Sequence, residues 1–186
     1  MAGFAGRVVM TEIKSIAVIG LGLIGGSILK GLKNKGYNLY GIPRRQETLN
    51  KALKENIIHE GSVDIMLAGK ADLIFICTPI NKTIETINSL RGKVKSETII
   101  TDAASLKADI MDSANSGEFM RFIGGHPMAG TENKGLDASC ENLFEGAKWV
   151  LTPSKWSNQE DLNKISSVIE KLGAEIIIAD PVQPCQ

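Results

Sequence analysis

The chain has 186 residues, 43% of them hydrophobic and 23% charged, enough for one full hydrophobic core and unlike a disordered, collagen-like or coiled-coil polypeptide. Its 21 basic and 21 acidic side chains cancel, so no net field draws it to nucleic acid or to an anionic membrane. Three scattered cysteines, Cys77, Cys140 and Cys185, make neither a disulfide framework nor a metal site, and the longest uncharged run, Ser15 to Leu29, is too short and glycine-rich to span a bilayer. The expectation is a soluble protein of a reducing compartment, the cytoplasm.

Residues 1–10 lack the charged start and apolar stretch of a secretory signal and read as a leader, tag or disordered extension. Ile13 to Ile19 reads as a buried strand, Leu23 to Lys33 as a helix and Asn38 to Ile42 as a second strand. Glu47 to Glu55 is helical, with Leu49, Ala52 and Leu53 on one face. Asp72 to Cys77 is a continuous apolar strand stopped by Thr78-Pro79, and Ile80, Ile84 and Ile87 then stripe one face of a helix. Thr98 to Thr101 is a strand, Leu106 to Ser113 a helix, and Phe119 to Ile123 and Trp149 to Leu151 are further strands. Ser157 to Glu160 is a capping box opening a helix that buries Leu162, Ile165, Ile169 and Leu172. Gly173 ends that helix and Glu175 to Ala179 forms the last strand. Strands apolar on both faces, separated by helices, imply a mostly parallel sheet with helices on both faces: an α/β, Rossmann-type doubly wound domain over residues 11–180, with 181–186 as a tail.

Gly20-Leu-Gly22-Leu-Ile-Gly25 sits between the first strand and the first helix. In that position Gly20 permits a sharp turn, Gly22 lets the backbone approach a pyrophosphate, and Gly25 lets helix and strand pack closely. The helix N-terminus, with Leu23 and Ile24 in its first turn, offers N–H groups and a positive dipole end to the phosphates. Cys77, Thr78 and Pro79, at the end of a later strand, complete the cofactor-binding set. An NAD site usually carries Asp or Glu at the end of the second strand, but here the segment is Gly41-Ile-Pro43-Arg44-Arg45. Without the carboxylate nothing repels a 2′-phosphate, and a guanidinium can grip one through two hydrogen bonds, which favours NADP over NAD. The alternative is that Arg44 and Arg45 are a solvated pair on a turn.

Two further segments follow strands, where open α/β sheets place ligand loops. Ser105, within Thr101-Asp-Ala-Ala-Ser-Leu-Lys107, reads first as an N-cap for the next helix and second as an anchor for an anionic substrate. His126 sits in an irregular, glycine-rich loop, Gly124 to Gly135, where it is either a proton-transfer group or a structural histidine bonded to a loop carbonyl. The other histidine, His59 beside Glu60, reads as a surface residue.

Gly20-Leu-Gly-Leu-Ile-Gly-Gly-Ser27, Thr101-Asp-Ala-Ala-Ser-Leu-Lys107 and Gly124-Gly-His-Pro-Met-Ala-Gly-Thr-Glu132, in this order between about Ile13 and Asp180, resemble the prephenate/arogenate dehydrogenase family of tyrosine biosynthesis. Ala104 stands where that family commonly has a glycine. The resemblance implies oxidative decarboxylation with hydride passing to a nicotinamide cofactor, with His126 accepting the proton of the substrate's ring hydroxyl and Ser105 orienting it. Thr131 and Glu132 would border the substrate pocket. Family members continue into a helical domain that dimerises and supplies arginines for the substrate carboxylates, so the resemblance implies the cofactor-binding half of a homodimeric enzyme, with that domain absent here. Two other readings compete. One is a stand-alone dinucleotide-binding module without turnover. The other is a β-hydroxyacid-type dehydrogenase, which would use a lysine-based site in a helical domain and lacks the His-Pro-Met-Ala-Gly loop.

Overall fold

The computed structural model describes residues 12–116 and 120–179. The extension expected over residues 1–10, the tail over 181–186, Cys185 and Phe119 lie outside the described residues.

The strands are β1 (Ser15–Ile19), β2 (Asn38–Ile42), β3 (Glu60–Gly61), β4 (Leu73–Ile76), β5 (Ile99–Asp102), β6 (Arg121–Pro127), β7 (Lys148–Pro153) and β8 (Glu175–Ile178). The helices are α1 (Leu23–Leu32), α2 (Gln46–Lys54), α3 (Ile80–Leu90), α4 (Ala108–Asn115) and α5 (Gln159–Glu170), with 3-10 turns at Ile65–Lys70 and Leu136–Ala138. The strands form one sheet in the order β3-β2-β1-β4-β5-β6-β7-β8. The first six are mutually parallel, β7 runs antiparallel to β6, and β8 runs parallel to β7. The doubly wound α/β expectation therefore agrees with the structure, and β1 marks the switch point where the chain turns from β2 on one side to β4 on the other.

The period-2 alternation of the strands builds two cores. Ile16 and Val18 of β1 and Leu73 and Phe75 of β4 face one side, where they pack with Ile28, Leu29 and Leu32 of α1, Ile165 and Ile169 of α5, and Trp149. Ala17, Ile19, Ile74 and Ile76 face the other side, with Ile87 and Leu90 of α3 and Ile110 and Met111 of α4. Each fully buried Leu, Ile or Phe contributes roughly 1.5–3 kcal/mol relative to exposure, so both faces must be covered at once. β8 departs from this pattern: at the sheet edge, Ile177 and Ile178 remain exposed.

Three local expectations are corrected. The box that opens α5 is Asn158 with Asp161, one residue later than Ser157 with Glu160. The Ser157 hydroxyl is spent on the Ser154 carbonyl, Glu160 pairs with Lys164, and Asp161 is fully buried against Arg121 of β6. Ser105 does not cap α4, whose N-cap is Lys107 without a side-chain cap bond. His126 lies inside β6 opposite Val150 rather than in an irregular loop, because β7 provides a ladder through Pro127.

Candidate active site

The carboxyl ends of β1, β4, β5 and β6 meet on one edge of the sheet. Gly20 holds φ at +94°, a conformation L side chains rarely adopt, and a Cβ there would lie 2.6 Å from the Cys77 carbonyl oxygen. Its N–H donates to the Ile42 carbonyl at 2.9 Å, tying the turn to β2. A Cβ on Gly25 would lie 2.1 Å from the Gly20 carbonyl oxygen, so only glycine lets α1 start this close to β1. Gly22 differs: nothing lies within 4 Å of the Cβ it lacks. Gly22 is also the N-cap of α1, with no side-chain cap and no acidic residue in the first turn. The first-turn N–H groups at Leu23 and Ile24 have no partner within the helix and follow directly on this open position, with the positive end of the helix dipole behind them, which fits a pyrophosphate.

Beyond β2, Pro43 is buried, and Arg44 and Arg45 are exposed and make no ion pair among the described residues. Arg45 is the backbone N-cap of α2. At the end of β4, Cys77 donates its N–H to Ile19 at 2.7 Å, Thr78 pairs its hydroxyl with that of buried Thr83, and Pro79 caps α3. Burial and the neighbouring Asp102 charge push the Cys77 thiol well up, so it stays a thiol rather than a nucleophilic thiolate.

Next along the same edge, the Ala103 N–H donates to the Ile76 carbonyl and joins the segment after β5 to β4. Asp102 ends β5 fully buried. Its carboxylate accepts N–H groups from Ala104 at 3.0 Å and Gly125 at 3.1 Å, and the Lys107 ammonium. A contiguous path of close contacts thus runs from Gly20 through Cys77, Ile76 and Asp102 to Gly125, the residue before His126. A Cβ on Gly125 would lie 2.3 Å from the Asp102 carbonyl oxygen, and one on Gly124 would lie 2.8 Å from the Met111 sulfur. The two glycines let β5 and α4 close onto β6.

His126 is half-buried. Burial lowers its pKa below the ordinary 6.5, the Lys107 cation lowers it further, and the Asp102 carboxylate pulls the other way. The imidazole is therefore neutral at neutral pH and able to accept a proton. Asp102 itself is pushed up by burial, opposed first by Lys107 and then by its backbone hydrogen bonds. Ser105 is exposed on the bend between β5 and α4. Leu106 and Met128, 69% and 58% exposed, give this edge an apolar rim beside Ser105 and His126.

Of the residues expected from sequence, the glycine turn, Cys77 to Pro79, Ser105 and His126 share this edge, and Pro43 to Arg45 close it beyond β2. Thr131 and Glu132 lie farther along, exposed; the Thr131 hydroxyl accepts the Asn133 N–H at 3.3 Å, and no hydrogen bond or ion pair joins either residue to His126 or Ser105. Asp102 and Lys107 were missed as site residues, although a lone carboxylate ending an apolar strand was the available signal. His59 is exposed as expected but also holds β2, its Nδ1 accepting the Leu39 N–H at 3.0 Å.

Residues 28–178 match the family described as prephenate dehydrogenase, nucleotide-binding domain. A prephenate dehydrogenase of Lactococcus lactis is 38% identical over 173 residues, covering 90% of this chain and 47% of that protein. The crystal structure of Synechocystis arogenate dehydrogenase superposes with a TM-score of 0.84 at 40% identity, covering 90% of this chain and 60% of that one. Prephenate dehydrogenase from Aquifex aeolicus, solved with hydroxyphenyl propionate and NAD+, superposes with a TM-score of 0.82 at 29% identity, covering 92% and 61%. The chain spans about half the length of the curated relatives it matches.

Proposed function

The chain belongs to the prephenate dehydrogenase family through its nucleotide-binding domain, and from that premise we propose that it is the NADP-binding half of a cytoplasmic, homodimeric prephenate or arogenate dehydrogenase of tyrosine biosynthesis. Residues 11–180 form its cofactor domain. The observation that supports this reading is the neutral imidazole of His126 on the same sheet edge as the open glycine turn, joined to it by a continuous path of close contacts that includes the Asp102 carboxylate.

A nicotinamide dinucleotide bound at Gly20, Gly22, Leu23, Ile24 and Gly25, and bordered by Cys77, Thr78 and Pro79, supplies the hydride acceptor for the hydroxyl-bearing ring carbon. His126 accepts the hydroxyl proton, Ser105 orients that hydroxyl, and Thr131 and Glu132 border the substrate. Loss of carbon dioxide from the opposite ring carbon makes the ring aromatic and drives the reaction forward. The Aquifex relative was solved with NAD+; for this chain the two exposed guanidiniums after Pro43, in place of the usual carboxylate, support NADP. Among the described residues no helix is long and apolar enough to cross a membrane.

The open, apolar side of the site around Leu106 and Met128 favours one other reading, a dinucleotide-binding module without turnover. Reduced-cofactor formation from prephenate and from arogenate, with NADP and NAD in parallel, separates the two. It is measured on this chain and on a form extended through any downstream coding sequence. Production of NADPH by either form supports the enzyme. Tight cofactor binding with no turnover by both forms supports the module instead.

A further inference from the structure

We propose that Asp102 is a positioning residue: with Lys107 as its counter-ion, it ties the backbone just before His126 to the turn that carries Ser105. The proposal rests on the reading of His126 as the proton acceptor. The register between β5 and β6 ends at Thr101 opposite Ile123, and β6 then continues through Pro127 paired with β7 alone. Beyond that point the β5 side holds the end of β6 through a side chain. Asp102 Oδ1 accepts the Gly125 N–H at 3.1 Å, and Oδ2 accepts the Ala104 N–H at 3.0 Å together with the Lys107 ammonium. Every partner of this carboxylate lies on one of the two segments that carry Ser105 and His126.

A fully buried carboxylate in an apolar strand is costly unless paired, and a hydrophobic residue of similar size would serve the core better. Its placement is explained by what it holds. The same pair sets the charge around the imidazole. The charged groups that act on it are Asp102 at the end of β5 and Lys107 ahead of α4. The cation and the carboxylate act on His126 in opposite directions.

The test is an NMR pH titration of the two histidines, with His59 as the internal reference, in the wild-type chain and in Asp102→Asn and Lys107→Gln. Asp102→Asn leaves the ammonium uncompensated beside the imidazole and moves the His126 midpoint down. Lys107→Gln removes the cation and moves it up. Each shift should be about half a pH unit or more, with His59 unmoved. In the active form, both variants should lower kcat about tenfold or more and leave the KM for NADP within about twofold. Midpoints that stay in place, or that move in the same direction in both variants, overturn the proposal. If Asp102→Asn fails to fold, Lys107→Gln decides alone: an upward shift supports the proposal and a stationary midpoint overturns it. Absence of turnover in both the wild-type chain and its extended form defeats the dehydrogenase reading and leaves the titration as the measure of this one.

Discussion

The side chain that Gly25 lacks would project onto Gly20: a Cβ there would lie 2.1 Å from the Gly20 carbonyl oxygen and 2.9 Å from the Val18 side chain. Nothing comparable surrounds Gly22, where the space beyond a Cβ is open. The two positions therefore fail differently. Gly25→Ala must push α1 off β1 and should cost about 1–3 kcal/mol of stability as well as cofactor affinity. Gly22→Ala meets no protein atom and should leave the melting temperature within about a degree or two, while filling the space a pyrophosphate needs and weakening cofactor binding about tenfold or more. Thermal melts beside calorimetric titration with NADP check both; equal loss of stability in the two variants would contradict the packing argument.

The choice of cofactor rests on two exposed guanidiniums. Replacing Arg44 and Arg45 together by alanine should weaken NADP binding about 10–100-fold and leave NAD binding nearly unchanged, because only the former carries a 2′-phosphate. Both residues are solvent-exposed, so stability should not change. Parallel loss of both cofactors, or tighter binding of NAD than NADP by the wild type, would count against the reading.

His126→Asn should lower turnover about 10²–10⁴-fold and leave cofactor affinity intact. A protonated imidazole cannot accept a proton, so kcat/KM should rise with pH through the pKa of His126 and level off above it. Burial, then Lys107, hold that pKa below 6.5, which places the acid limb on the acid side of an ordinary histidine. A pH–rate profile with its lower midpoint at or above 6.5 would show that another group controls the proton.

Asp72 braces the opposite edge of the sheet. Its carboxylate accepts the Lys14 and Ser15 N–H groups at 3.0 Å each and the Ser15 hydroxyl at 2.8 Å, and pairs with Lys95. Burial alone would raise its pKa, but the hydrogen bonds outweigh burial and hold it below 3.8. The unfolded chain therefore takes up this proton first as the solution is acidified. The stabilisation is full above 3.8 and is lost as pH falls through the lower folded value. Asp72→Asn should cost about 1–2 kcal/mol at pH 7, a deficit that shrinks in acid; urea melts at pH 7 and near pH 3 check it.

Much of the layout was legible in the residues alone. Continuous apolar runs such as Leu73 to Ile76 signal strands buried on both faces, and a Gly-x-Gly-x-x-Gly after the first of them signals a tight strand-to-helix turn. The segments bearing Ser105 and His126 stood out because they follow strands, where this architecture gathers its ligand loops. β3 and the 3-10 turn at Ile65–Lys70 did not stand out, since two paired residues and one turn leave no measurable period.

Spacing along the chain, with the steric allowances of glycine and proline, was enough to specify which segments become strands and helices and where a phosphate can approach the backbone, because those preferences act within a few residues. Other features depended on assembly. Asn158 rather than Ser157 caps α5 because Ser154 engages Ser157 and Arg121 holds Asp161. His126 belongs to a strand because β7 runs back alongside β6, and Asp102 becomes a site residue because its partner Gly125 is 23 positions away in the chain. A buried charge or an unpaired backbone group can be satisfied only by whatever the finished fold brings beside it, and no local pattern contains that information.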